Sequence, residues 1–405
     1  MTHPIGYGFP ISSTAAGTAE TFDIQGTHLF GIQAQPQNTT YYIGENGLVG
    51  AGANTGSLTE ADSTWLPIVP VKLKDLYVTC NPAPASGQTC TVTIRKNGAD
   101  TSLAAIITSA GGVFSDTADS VTAGPGDTIS FKSVTSATSG AVAVSGSVRF
   151  VDPYTDKGIS IIPFSSLAAA GDQACYGIGG VAGLASGEPH TFPIAHSNAY
   201  ITNFFDQAST SVHQGISVNE ALGSYRAVLA NGTASLSTTA NAAFLPLKVP
   251  LIASSFYRPT ILADAAVVHK GAWQIKQLAE AAEYEIKPFY FTSRQQAQNT
   301  TRYMSGHGCT GDATEADVQF PISSGTLKNF ILYSETAVPA GQTWTATVRL
   351  DGASALSLVI TGTDVVAVDT TSTVRVTDGQ KISVQLTSSA TTGTEDLQFA
   401  CDHMT

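Results

Sequence analysis

Charged side chains are scarce in this chain. Asp, Glu, Lys and Arg make up 12 % of its 405 residues, about half the share of an average soluble domain. Basic groups are the scarcer sign: 19 Lys and Arg stand against 31 Asp and Glu, for a net charge of −12 and a pI near 5.0. The 19 are also widely scattered, whereas a nucleic-acid binder gathers its cations on one face. That composition speaks against nucleic acid as a partner. No stretch approaches the ~20 apolar residues of a membrane helix, so no membrane partner is expected. The opening residues, "MTHPIGYGFPISS", show no basic segment followed by an apolar run. The expectation is a protein made in the cytoplasm without secretion.

Cysteine is sparse as well. The five are Cys80, Cys90, Cys175, Cys309 and Cys401, an odd number at spacings that fit no zinc pattern. Cys80 and Cys90 flank the turn-rich "CNPAPASGQTC" and either face each other across a hairpin or are two small semi-buried thiols. The eight histidines are His3, His28, His190, His196, His213, His269, His307 and His403. None forms an i,i+4 pair or joins a Cys at zinc spacing; His190 and His196 flank "TFPIA" as lone surface groups. No G-x-S-x-G elbow or other nucleophile motif is present. "YGIGGVAG" (176–183) resembles a dinucleotide loop, but no strand–loop–helix unit surrounds it. The chain is therefore read as no enzyme, with no catalytic, cofactor-binding or metal-ligating residue assigned and no cofactor expected.

What fills the gap is Thr, Ser, Ala and Gly, which suit strands and tight turns better than long helices. The most informative feature is repetition. "QPQNTTYYIG" at 35–44 returns as "QAQNTTRYMSG" at 296–306. "TEADSTWLPI" (59–68) returns as "TEADVQFPI" (314–322), and "LKDLYV" (73–78) as "LKNFIL" (327–332). "PASGQTCTVTIRKNGA" (84–99) matches "PAGQTWTATVRLDGA" (339–353), and "TISFKSVTSATSG" (128–140) matches "KISVQLTSSATTG" (381–393). A degenerate third copy lies between them. "IIPF" (161–164) is matched to "IKPF" (286–289), "HTFPI" (190–194) to the "TWLPI" and "VQFPI" segments, "ITNFF" (201–205) to "LKNFI", and "VLANGTASL" (228–236) to "IRKNGADTSL". The expected domains are 1–158, 159–284 and 285–405, each of ordinary domain size.

Each copy reads as antiparallel β. "TCTVTIRKNG" alternates apolar and polar residues and then meets Asn97-Gly98, a hairpin signal. Asp351-Gly352 repeats it, and Asn231-Gly232 is expected to do the same in the middle copy. About eight strands in ~125 residues predict an all-β chain of three tandem jelly-roll-like sandwiches. The helix-like "AWQIKQLAEAAEYEI" (272–286) is expected to be a strand pair with a short helix close behind.

Residues that recur in every copy are expected to be structural. Glu60 and Asp62 recur as Glu315 and Asp317 in "TEAD", read as a loop whose Thr or Asp side chains bond local backbone N–H groups, with a surface cation site as the minor alternative. Asp127 in "GPGD" and Asp378 in "TDGQ" fit turns. The aromatics Tyr41, Tyr42, Tyr303, Phe204, Phe205 and "FYF" at 289–291 are read mainly as core, with exposed sugar-binding rings as the alternative. Tyr42 and Tyr303, being equivalent, point to a core or interdomain role.

The string "LKDLYVTCNPAPASGQTCTVTIRKNGADTSLAAII", with "AGPGDTISFKSVTSAT" downstream, resembles a module of virion structural proteins of tailed bacteriophages. The pattern is full at 73–131 and nearly complete at 326–384, where Gln380 stands in place of an Asp; in the middle copy it survives in fragments. The resemblance implies jelly-roll domains that trimerise on capsids or lie in tail fibres, and it implies no catalytic residue. The functional expectation is a non-enzymatic capsid decoration or cement subunit, a homotrimer in contact with the major capsid protein or other virion proteins, located in the virion. The alternative is a tail fibre or receptor-binding protein in contact with host surface glycans, disfavoured modestly because no heptad run or stalk is present. A secreted adhesin is a further, weaker reading.

Overall fold

The computed structural model describes residues 24–43, 58–136, 141–167, 171–174, 192–194, 199–208, 213–220, 226–235, 242–245, 249–251, 255–263, 268–279, 282–286, 288–297, 300–304, 312–334, 337–389 and 394–404. Side chains are described for most of the first and last thirds of the chain and for few residues of the middle third. Among the described residues the chain is nearly all strand, without an α-helix, and no helix is long and apolar enough to cross a membrane.

The first copy runs β1 (Thr27–Gln35), β2 (Thr40–Ile43), β3 (Val71–Asn81), β4 (Thr89–Lys96), β5 (Ala99–Thr108), β6 (Val113–Ala123), β7 (Ile129–Thr135) and β8 (Val142–Val151). One sheet has the order β1-β8-β3-β6 and the other β2-β7-β4-β5. First and last strands lie side by side and every described pairing is antiparallel. This is the double Greek key of a jelly roll.

The middle copy runs β9 (Ile162–Leu167), β10 (Gly171–Ala174), β11 (Phe192–Ile194), β12 (Ala199–Ala208), β13 (His213–Glu220), β14 (Arg226–Ser235), β15 (Ala242–Leu245), β16 (Val249–Leu251), β17 (Ser255–Ala263) and β18 (Val268–Ala279), followed by β19 (Ala282–Ile286). The last copy runs β20 (Pro288–Ala297), β21 (Thr301–Met304), β22 (Phe320–Ile322), β23 (Gly325–Ser334), β24 (Thr343–Leu350), β25 (Ala353–Thr361), β26 (Val366–Asp369), β27 (Val374–Val376), β28 (Gln380–Ser388) and β29 (Thr394–Met404). Its sheets, β20-β29-β23-β26 and β21-β28-β24-β25, repeat the first copy strand for strand. The middle copy keeps the same neighbours, with β9 and β12 on either side of β18 and β13 between β17 and β14.

Local chemistry explains the repetition. In β4, Cys90, Val92 and Ile94 are buried and alternate with less buried polar residues, as a strand with one face on a core must. Asn97 and Gly98 have φ of 52° and 75°, and Asp351 and Gly352 have φ of 49° and 83°. Two successive left-handed residues define the primed hairpin turn that Asn-Gly and Asp-Gly favour. A bulge also recurs. The pairing of β3 with β8 slips after Lys74, that of β23 with β29 after Lys328, and that of β12 with β18 after Thr202. Asp75 and Asn329 occupy the slip with φ of 53° each, a conformation that Asp and Asn tolerate better than most residues.

Three expectations need correction. Asn231-Gly232 lies inside β14, where the pairing with β13 passes from Gln214↔Ala234 to Ile216↔Ala230; the dipeptide serves a bulge, which has the same appetite for left-handed residues as a turn. "IIPF" is set two residues further on than its match to "IKPF" suggested: Pro163 pairs with Ala272 as Tyr290 pairs with Ala400. The strand pair at 272–286 is present as the end of β18 and β19, but β20 follows at Pro288 and no helix intervenes among the described residues. Ile159 and Ile161 belong to the first core, and β19 runs across 284 to Ile286.

Each outer copy has its own core. Trp65, Phe30, Phe131 and Phe150 anchor the first, with Trp65 and Phe30 stacked on Phe150 and Phe131 at centroid distances of 5.1 and 4.6 Å. Trp344, Phe291, Phe320, Phe330 and Phe399 anchor the third.

Candidate functional site

The recurring polar residues form two matched clamps and one seam. In the first copy a 3-10 turn, Glu60–Ser63, brings Glu60 over the sheet. Its Oε1 accepts hydrogen bonds from Arg95 Nε at 2.8 Å and Ser130 Oγ at 2.7 Å. In the third copy the turn Glu315–Asp317 does the same: Glu315 Oε1 accepts from Arg349 Nε at 2.9 Å and Ser383 Oγ at 2.7 Å. Each guanidinium also bonds a carbonyl of its hairpin turn, Gly98 or Gly352. One planar donor thus ties a loop, a hairpin and two strands together, the multidentate geometry that suits Arg over Lys. Burial alone would raise the Glu60 and Glu315 carboxyls; the Arg and Ser hydrogen bonds outweigh it and hold both below the ordinary value. Neither "TEAD" turn has a side-chain cap bond. The Glu60 and Glu315 carboxylates thus bond across the sheet to Arg and Ser side chains.

The turn acids divide. The Asp127 carboxylate accepts from Gly124 N–H at 2.9 Å and Asn97 Nδ2 at 2.7 Å, and pairs with Lys96 at 3.0 Å. At the equivalent place, Gln380 Oε1 accepts from Thr377 N–H at 3.2 Å, so the departure from the module pattern keeps the turn bond. Asp378 instead takes Ser324 N–H at 2.7 Å and lies against Tyr77 of the first copy. Burial, with Asp378 nearby, pushes the Tyr77 phenol up to about 12.

That contact belongs to a seam between the first and third copies. Ile24 pairs with Met404, Gln25 N–H donates to His403 O at 3.1 Å, and Gln25 Nε2 to Ser324 O at 2.9 Å. Ser147 Oγ donates to Pro321 O at 2.6 Å and Asn81 Nδ2 to Asp317 Oδ1 at 2.5 Å. Thr27 Oγ1 lies 3.2 Å from His403 Nδ1. Leu29, on the outer face of β1, is buried in the hydrophobic cluster of the third copy. β8 is buried along both faces, apart from Arg149, the mark of a sheet covered on its two sides. The seam was invisible in the sequence, except that "VAVSGSVRFV" (142–151) carries unusually small residues at the covered positions.

The remaining candidates are dispersed. His28 stacks on Phe150 at 5.0 Å. His403 is buried beside Phe289 at 5.2 Å, and burial, with Arg149 adding to it, lowers its pKa to about 3. Cys80 and Cys90 are free and buried in the first core, where Cys80 Sγ donates to Pro82 O at 3.2 Å and Cys90 Sγ lies 3.6 Å from Ser133 Oγ; the neighbouring Cys90 and burial push the Cys80 thiol far up. Register places Ser334 and Trp344 at these positions in the third copy. Tyr41 and Tyr303 pack on the two cores. Tyr42 lies under the Arg95 guanidinium at 5.8 Å, and the Tyr303 hydroxyl accepts from Gln385 Nε2 at 3.2 Å. Phe289 and Phe291 enter the third core, and Tyr290 is buried on the opposite face of β20. His3, His190, His196, His307, Cys175, Cys309 and "YGIGGVAG" lie outside the described residues, as do the side chains of Asp62, Phe204, Phe205, His213 and His269. Among the described residues no group of three or more His, Cys, Asp and Glu is placed to hold a metal ion.

The chain matches no family model and no curated protein.

Proposed function

We propose that this chain is a non-enzymatic structural protein of a tailed-phage virion, a decoration or cement subunit that bridges neighbouring capsomers. The observation that carries the reading is the use made of the recurring polar residues. Glu60, Glu315, Arg95, Arg349, Asp127 and Asp378 are engaged with loops, turns and the seam. The chain's chemistry is thus directed inward, toward holding jelly rolls rigid and joined. Jelly rolls closed on themselves by such contacts leave few free edges for unwanted pairing. A subunit of this kind stabilises a shell by contacts that exist only in the assembled state.

Immunogold labelling of purified particles, with antibody to this chain, tests the reading. Dense label over heads is expected. Label confined to the tail or its tip would replace decoration by receptor binding, with host surface glycans as the partner to screen. No label on any particle would remove the virion reading.

A further inference from the structure

We infer that one chain is by itself the threefold unit: its three jelly rolls close head to tail into a ring, and the partner it fits is a locally threefold site made by three copies of a shell protein. The partner half rests on the proposed virion role; the ring half does not.

The ring follows from equivalent positions. Register makes Ser147, Ala272 and Ala400 counterparts, each opposite the same position of the neighbouring strand: Tyr77, Phe205 and Ile331. All three are buried. Each lies on the face of its sheet turned away from its own sandwich core, where an isolated domain would meet water. Different copies cover them. Ser147 bonds Pro321 of the third copy, whose β22 lies against β8 and β3. β11 of the middle copy lies against β29 and β23, the strands that carry Ala400 and Ile331. Ala272 of the middle copy belongs to the hydrophobic cluster of the first, whose Glu60–Ser63 turn lies beside β9. β11 and β22 are themselves counterparts, since Phe192 pairs with β17 and Phe320 with β28, as Trp65 bridges to β7. The first copy thus covers the second, the second covers the third, and the third covers the first.

Such a contact is heterologous: a different surface is used on each side. Repeated, it gives either an open array or a closed ring. In an open array the third copy would never reach the first. Here Ile24 pairs with Met404, so the ring is closed. Among the described residues every copy has both its surfaces occupied from within the chain, and none of those surfaces is left to recruit a second chain. The trimer expected from the phage-module resemblance is on this inference supplied by one polypeptide. Covalent linkage also relieves the copies of having identical sequences, which fits a middle copy that has drifted furthest.

Three measurements test this on the full-length chain. Sedimentation equilibrium should return a mass near 41.8 kDa; a species of about three times that mass would overturn the inference. An Ile24→Cys, Met404→Cys double variant should form an intrachain disulfide between those positions under mild oxidation, mapped by peptide mass spectrometry, without change in that mass. Failure to form it, in a protein that melts as wild type does, would show the ring open. On particles, averaging about local threefold axes should place one chain per three shell subunits. One chain per shell subunit would overturn the partner half alone. Absence from every particle, with a closed single-chain ring in solution, would remove the virion reading and its threefold partner, and leave the ring standing.

Discussion

Truncation of Leu29 to Ala separates a sealed ring from three independent domains. Leu29 sits on the face of β1 turned away from the first core, and is only 5 % exposed because the third copy covers it. Were the copies independent, that face would meet solvent, and the substitution would cost within about 0.5 kcal/mol, as surface changes do. Sealed, the leucine loses its transfer free energy and leaves a cavity that neighbouring strands fill only in part. Each buried methylene is worth about 0.8 kcal/mol, and buried Leu→Ala changes cost about 2–5 kcal/mol. The side chain has one β-strand beneath it and a second copy above, so a value near the lower end, about 2–3 kcal/mol, is expected. Urea unfolding at 25 °C, followed by fluorescence of Trp65, Trp273 and Trp344, reads the difference. Ile106→Ala is the control, since Ile106 is 55 % exposed on β5; it should change stability by less than about 0.5 kcal/mol. If Leu29→Ala proves as mild as Ile106→Ala, the seam contributes nothing to stability and the reasoning fails.

Glu315→Gln should cost about 1–3 kcal/mol, because Glu315 is the carboxylate partner of Arg349 among the described residues, and Glu60→Gln should cost less, because Arg95 keeps its ion pair with Asp100; equal costs in chemical unfolding would refute that difference. His403 is buried neutral with a pKa near 3, well under the ~6.5 of an unfolded chain. Its contribution is present above about pH 6.5 and is lost as pH falls toward 3, amounting to about 2 kcal/mol at pH 5. His403→Phe, which copies Phe150 at the counterpart position, should flatten stability between pH 6.5 and 5, and an unchanged slope would refute the assignment. Asn38 has φ of 51°, so Asn38→Ala should lower stability by about 1 kcal/mol of strain, and the melting temperature with it, while Asn38→Gly should not. Binding to purified particles should be the same for both, and a loss of binding at unchanged melting would give the loop a recognition role.

The jelly roll was legible because its signals are local. Alternation in "TCTVTIRK", the Asn97-Gly98 turn and the doubled "QNTT" loop each report on a few adjacent residues, and the repeat multiplies the report. The errors have the same origin. Asn231-Gly232 satisfies a bulge as well as a turn, and a four-residue match such as "IIPF" to "IKPF" carries no register, which strand pairing alone decides. The clamps were half visible: recurrence marked Glu60 and Glu315 as structural, but their partners Arg95 and Arg349 lie 35 and 34 residues away, beyond any local pattern.

The seams were the least legible part, for a definite physical reason. A face covered by another copy needs small or weakly polar residues that fit, and not a hydrophobic stripe. Ser145 and Ser147, both less than 5 % exposed, are read in a sequence as solvent-facing residues of an edge-on β strand. Their burial is tolerable because Ser147 Oγ finds the Pro321 carbonyl at 2.6 Å, and a satisfied hydroxyl costs little where an orphaned one would cost 1–3 kcal/mol. The counterparts of Ser147, Ala272 and Ala400, dispense with the hydroxyl and remain small. Size, and not polarity, is the property retained at all three places. A bulky residue there would hold two sheets apart, so replacing Ser147 by a large side chain should open the ring where replacing it by Ala should not.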